Sequence, residues 1–219
     1  MSTSTEASAA GTDGPHDYRV RARHMRFQGP VFSLVTDEVA MPGGRYANRD
    51  YLVHVGAVGV VAVDEQDRVV LVRQYRHPVG RVLWELPAGL IDVAGEELVA
   101  GAARELAEET DLRATHWGYL LDLHPSPGCT NEVIRLFLAR ELAEVPAAER
   151  HERRDEEAGI TCVRVPLSEA VAMVFRGEIS NASAVAGLLA AARLRDEGWP
   201  PTRPEVPLPR SPLAEVTPT

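Results

Sequence analysis

Residues 103–112 read ARELAEETDL, and their spacing decides how the chain is to be folded. On a period of 3.6 residues, positions i, i+3 and i+4 share a face of a helix. Glu105, Glu108 and Glu109 therefore project together, while Val99, Ala103 and Leu106 turn to the other side. Like charges one turn apart destabilise an isolated helix by about 0.2–0.5 kcal/mol per pair, and Arg104 and Arg113 give partial relief. Two explanations fit such a face. It is a solvated acidic surface, or it holds something positive, most simply divalent cations.

The surrounding composition narrows the choice of class. With 219 residues and 45% hydrophobic content, the chain can bury a full core. No apolar run approaches the ~18 residues that cross a bilayer, and the start has neither a basic nor an apolar leader region, so a cytosolic, membrane-free protein is expected. A formal charge of −9 argues against nucleic acid as a partner. Cys129 and Cys162 lack metal-ligand spacing and read as free thiols. Every basic side chain except histidine is arginine, which removes lysine chemistry from consideration.

Outward from the acidic helix the organisation is legible in outline. Residues 1–22 are rich in small and polar types, residues 200–219 are interrupted by prolines, and both read as disordered tails. Residues 23–55 contain VFSLVTDEVA and YANRDYLVHV around the turn MPGG, a small antiparallel strand unit. Residues 56–199 form the main domain. It opens with two β-branched runs joined by a polar turn at Asp64–Asp67, read as a hairpin. Strands are expected at Gly118–Leu123, Val133–Ala139 and Ile160–Val165. Helices are expected at Ser168–Phe175, with Ser168 as N-cap, and at Ser183–Arg195. Strands before and between three helices predict an α/β fold, a mixed sheet covered on both faces.

Upstream, WELPAGLIDVAGEELVAGA carries Gly89 and Gly95 in the approach to the helix. Gly89 to Leu112 resembles the Nudix box: G, five residues, E, seven residues, then R-E-U-x-E-E-x-G-U, with U a bulky aliphatic residue. Gly89, Glu96, Arg104, Glu105, Leu106, Glu108, Glu109 and Leu112 match. Two positions depart from the pattern. Six residues separate Gly89 from Glu96, and Asp111 stands where the last glycine belongs. The insertion precedes the helix and leaves Arg104–Glu109 in register, and Asp is among the few non-glycine residues that tolerate a left-handed helix end.

The resemblance implies a Nudix-type α/β/α sandwich and Mg²⁺-dependent cleavage of a pyrophosphate bond, with Mn²⁺ as a substitute. Oxygen ligands on a rigid helix suit such hard cations. By the same resemblance Glu105, Glu109 and the backbone carbonyl of Ala88 are metal ligands, Glu108 is a ligand or holds a water, and Arg104 orients a neighbouring glutamate. Its plainer role is an i,i+4 partner of Glu108. Pro127 falls 16 positions after Asp111, and SPGCTNE, QYRHPVG and WELPAG resemble the ADP-ribose pyrophosphatase subfamily over roughly Asp50 to Leu194. That likeness implies substrate contacts from Arg76, Arg49 and the loop residues Pro127, Gly128 and Glu132. A guanidinium fork at Arg76 matches phosphate oxygens. Trp84 reads as a core or interface aromatic. The likeness also implies a homodimer with exchanged N-terminal strands, and a general base on the loop AAERHERRDEEAGI at Glu157, with Glu156 as the near alternative and Glu152 as a distant one. The implied substrate is ADP-ribose. Another nucleoside diphosphate sugar such as GDP-mannose, an oxidised nucleotide, or a non-catalytic ADP-ribose sensor are the competing readings.

Overall fold

The computed structural model of the chain describes residues 17–153 and 159–209. Three strands come first, β1 (Val20–Gln28), β2 (Phe32–Ala40) and β3 (Tyr46–His54), paired antiparallel in the order β1-β2-β3. The main body follows with β4 (Ala57–Ala62), β5 (Arg68–Arg76), β6 (Arg81–Glu85), β7 (Ala88–Leu90), α1 (Leu98–Thr110), β8 (Leu112–Leu123), β9 (Ile134–Glu144), β10 (Thr161–Pro166), α2 (Leu167–Phe175) and α3 (Ala182–Asp196). Its strands form a mixed sheet, β7-β4-β9-β8, in which only β4 and β9 run parallel, and an antiparallel sheet, β10-β5-β6.

Side chains alternate across a strand, so β4 feeds two cores at once. Val58, Val60 and Ala62 pack with Ala102 and Leu106 of α1, whereas Val61 packs with Leu188 and Ala191 of α3 and with Ala170 of α2. Strands in the middle and helices on both sides make the expected α/β/α sandwich with its separate N-terminal strand unit.

The expected hairpin at Asp64–Asp67 is half right. The turn exists: Asp64 Oδ1 accepts from the backbone N–H groups of Gln66 and Arg68 at 3.1 and 2.9 Å, and Asp67 adopts a left-handed φ of 53°. The ladder does not. The backbones of β4 and β5 pair only through a Val63–Val69 bridge and then diverge into different sheets, each as a central strand. Two apolar runs buried on both faces need neighbours on both edges, and a hairpin supplies only one.

Other boundaries also shift for identifiable reasons. Ser168 is not the cap of α2. The helix begins at Leu167, whose N–H is taken by the Asp67 carbonyl at 2.9 Å, so backbone from the turn replaces a side-chain cap. In α3 the cap is Asn181, accepting from Ala184 N–H at 3.0 Å. The stretch assigned to a disordered start already contains β1 from Val20, and Arg19 accepts a hydrogen bond from Ala40 N–H. The proline-rich stretch forms neither helix nor strand over residues 200–209, yet it is tied down. Arg203 donates to the Tyr119 hydroxyl at 2.9 Å, and buried Arg135 holds both Glu205 and the Val206 carbonyl, at 2.9 and 2.8 Å.

Candidate active site

Helix α1 buries Gly101, Ala102, Leu106, Glu109 and Thr110, and Val99 packs beside them; of the expected Val99–Ala103–Leu106 face, Val99 and Leu106 meet the core, and the buried stripe extends to Glu109. The three glutamates differ in burial. Glu109, only 6% exposed, turns under the sheet and accepts the Ala88 N–H at 3.0 Å. Glu105, its carboxylate against Gly89, and the more exposed Glu108 share Arg104, which lies 2.6 Å from Glu105, 3.2 Å from Glu108 and 3.2 Å from Glu96. Hydrogen bonding to Glu96, then the field of Glu105, holds the Arg104 guanidinium firmly protonated. Sequence reasoning placed Glu96 in the motif without giving it a role; it closes the arginine's far side.

Two backbone features bring this helix against β7. A Cβ on Gly89 would collide with the Glu105 carboxylate, so glycine is what lets the strand approach so closely. In the antiparallel ladder Val60 donates to the Pro87 carbonyl and Ile91 to Gly56, so by alternation Ala88 is a non-hydrogen-bonded position opposite Gly59. Its N–H and C=O therefore point off the ladder, and Glu109 takes the N–H.

Among the described residues, no three acidic, histidine or cysteine side chains converge at metal-binding spacing. What stands between Glu105 and Glu108 is the Arg104 guanidinium. The donor set is nonetheless carboxylate oxygen with a neighbouring carbonyl, the chemistry that suits Mg²⁺ or Mn²⁺, and it lies in a cradle that a Cβ at position 89 would fill. The residues fit a hard divalent ion.

The proposed substrate contacts fall in two places. Arg49, Pro127 and Gly128 line one cleft of about 1120 Å³, together with Tyr18, Asp37, Tyr51, Asn131 and Pro209. The loop bearing Pro127 is pinned to β3: Leu52 donates to the Cys129 carbonyl at 2.8 Å, and His54 N–H to Asn131 Oδ1 at 2.8 Å. Glu132 sits beside this loop, 3.7 Å from His54. Arg76 lies elsewhere, forked onto buried Glu85 at 3.0 and 2.7 Å. Glu85 was not anticipated, though its place in WELPAG one strand from QYR was the available signal. Trp84 packs against the core below the Arg73 guanidinium. Both cysteines are free. Glu152 is described, whereas Glu156 and Glu157 lie outside the described residues.

The NUDIX domain model matches residues 53–186. The chain belongs to the NUDIX family. The match runs from the end of β3 into the start of α3 and leaves the N-terminal sheet almost entirely outside. An ADP-ribose pyrophosphatase from Mycobacterium tuberculosis is 46% identical over 175 residues, covering 80% of this chain and 83% of the relative. A protein of the same name from Bacillus subtilis is 34% identical over 161 residues, 74% of this chain and 85% of its own. In fold, the NUDIX chain superposes with a TM-score of 0.70 on a crystal structure described as an ADP compounds hydrolase, at 20% identity, over 84% of this chain and 97% of the other. No helix among the described residues is long and apolar enough to cross a membrane.

Proposed function

We propose that this NUDIX protein hydrolyses the pyrophosphate bond of ADP-ribose to AMP and ribose 5-phosphate, with Mg²⁺ as its metal and Mn²⁺ as a substitute. The observation that carries the reading is the oxygen-rich turn of α1, with Glu105 seated against Gly89 and Glu109 against Ala88. Its support comes from the relatives of this name that align over most of the chain.

In this reading Glu105, Glu109 and the Ala88 carbonyl hold the metal, with Glu108 a further ligand or the holder of a water. Divalent ions there supply neutralisation of phosphate charge. Arg104 keeps Glu105 and Glu108 oriented until they are recruited. Arg76, pre-set in a fork by Glu85, offers its remaining donors to the diphosphate. Arg49 and the Pro127–Gly128 wall receive the nucleoside, and Glu132 backs that loop. Glu157, or Glu156 one residue earlier, takes the proton from the attacking water. The bond from phosphorus to the bridging oxygen breaks as the water oxygen adds in line, and the departing phosphate leaves as the second product.

We further infer a cytoplasmic homodimer. Met25, Phe27, Val31, Phe32 and Tyr46 leave apolar area exposed on the N-terminal unit, which a second copy would cover.

A turnover panel tests the activity, using ADP-ribose, GDP-mannose, diadenosine polyphosphates and 8-oxo-dGDP with and without EDTA. ADP-ribose should give the highest kcat/KM, chelation should abolish it, and Mg²⁺ should restore it. Preference for GDP-mannose would move the substrate, and undiminished turnover after thorough chelation would overturn the metal assignment.

A further inference from the structure

Beyond α3 the described residues form neither helix nor strand, yet single side-chain contacts hold them along β8. Trp199, in a left-handed conformation with φ 57°, donates its indole N–H to Asp67 Oδ1 at 3.1 Å, and the Arg140 guanidinium lies 4.0 Å over its ring. Thr202 then rests on Gly118. A Cβ at position 118 would stand 2.4 Å from the threonine hydroxyl and 3.1 Å from its Cβ, so glycine makes room for the crossing. Next along both segments, Arg203 lies 4.6 Å from the centre of the Tyr119 ring and donates to its hydroxyl at 2.9 Å.

The firmest hold comes from Arg135. Across the β8–β9 ladder it faces Asp122, and its Nε and one Nη donate to that carboxylate at 2.7 and 2.8 Å. The other Nη donates to Glu205 and to the Val206 carbonyl at 2.9 and 2.8 Å. Arg135 is 1% exposed, so leaving those donors unmade would be costly, and the fastened arrangement is the resting one. The order of contacts, Gly118, then Tyr119, then Arg135 opposite Asp122, follows β8 toward its end at Leu123. There the segment reaches a cleft. Pro209 lines the same space of about 1120 Å³ as Arg49, Pro127 and Gly128, and so do His124 and Val133, which stand two residues from Asp122 and Arg135 respectively. A proline ring presents apolar surface and has no side-chain freedom to lose when a flat ligand settles on it.

We propose that residues 199–209 are a strap that completes the nucleoside cleft: Arg135 and Tyr119 position it, and Pro209 is the surface it adds for the base of the nucleotide. The identity of the ligand rests on the ADP-ribose reading above; the fastening of the strap does not.

The test uses the full chain carrying Arg203→Ala together with Glu205→Ala, Glu205→Gln alone, or Pro209→Gly. The double variant frees the strap from two of its holds. For ADP-ribose its KM should rise by between about fivefold and about tenfold with kcat within about twofold, the split expected when binding is lost and chemistry is not. The inhibition constant of AMP should rise by the same factor, and that of ribose 5-phosphate should keep its parental value. Glu205→Gln retains an acceptor for Arg135 and should stay within about twofold of the parent in KM. Pro209→Gly leaves every hold in place and should still raise KM and the AMP constant by about threefold, which tests the wall even where the double variant unfolds. NMR order parameters of the Thr202, Val206 and Leu208 amides should be about 0.85 in the parent and fall below about 0.6 in the double variant. Parental KM and AMP affinity in Pro209→Gly, or in a double variant whose strap has come loose, would overturn the wall, as would a loss confined to kcat. Order parameters below about 0.6 in the parent would overturn the strap. Should the parent fail to cleave ADP-ribose, the functional reading falls by itself, and the fastening still stands or falls on those order parameters.

Discussion

Two arginine clusters in this molecule look alike in composition and differ in proportion. In the N-terminal sheet, Arg23 meets Asp37 through two bonds of 2.7 and 2.8 Å, with the Tyr51 hydroxyl donating to the same carboxylate at 2.9 Å, and both charged side chains are almost wholly buried. On α1, Arg104 is a third exposed and shared among Glu96, Glu105 and Glu108. Among the described residues the first cluster sets one guanidinium against one carboxylate, and its burial demands that neither partner leave. Among the described residues the second sets three carboxylates around one guanidinium that is itself a third exposed, and that access lets another cation take its place. A matched buried pair is architecture. A carboxylate-rich group around a guanidinium that solvent can reach has the chemistry suited to a cation.

The largest effect that separates them is on folding. Asp37→Asn leaves the Arg23 guanidinium buried without its carboxylate, which should destabilise the fold by about 3–5 kcal/mol, read as a lowered urea midpoint. A midpoint within experimental scatter of the parent would break the comparison at its architectural end. Next comes Glu109→Gln, which keeps an acceptor for the Ala88 N–H while removing a charge. Turnover should fall by at least about 10²-fold with the unfolding midpoint in EDTA unchanged. Mg²⁺ at a hundred times its Kd should stabilise the parent and the Asp37→Asn variant by about 2.7 kcal/mol each, and Glu109→Gln by less. Parental turnover in Glu109→Gln would remove that carboxylate from the metal set.

The smallest effect concerns pH. Burial, followed by its hydrogen bond to Asp37, pushes the Tyr51 phenol up to about 12. Because the folded state favours the protonated phenol, this contribution is complete below the unfolded value near 10.0 and is lost as pH rises through about 12. Urea midpoints followed across that window should decline more gently in Tyr51→Phe than in the parent. Parallel declines would show that the hydroxyl is not part of the matched cluster's energetics.

What the sequence made legible is what is local in the chain. The order of carboxylates on α1, the left-handed end at Asp111 and the turn at Asp64–Asp67 all depend on neighbours within a few positions, so spacing and residue type suffice. Strand partners depend on residues far apart. Nothing in the runs β4 and β5 says that one pairs with β9 and the other with β10, and the nearest partner in sequence was the wrong one. The burial of Glu109 is likewise decided by the sheet beneath α1, since an acidic residue in a buried stripe breaks the pattern from which helix faces are read. Arg153 was invisible among its charged neighbours because its partners, the Glu108 carbonyl and the Asp111 carboxylate, stand at a helix end that precedes β8 and β9 in the chain. The proline-rich stretch was legible as neither helix nor strand, but its anchors on Arg135 and Tyr119 are single polar contacts that leave no periodic trace.

Those anchors bear on how the chain matures as it is made. Arg135 lies in the middle of the sheet, 1% exposed, and within β8 and β9 it finds Asp122. Glu205 and the Val206 carbonyl, its other partners, are synthesised 70 and 71 residues later. A nascent chain that has emerged only as far as α3 holds the strands of all three sheets and all three helices, but it must carry a sealed-in cation with part of its coordination still to arrive. The final segment thus acts as a closing latch in time as well as in space. The sandwich can form early from the order of its strands, while the partners of Arg135 are completed only once Glu205 and Val206 have been added and have folded back.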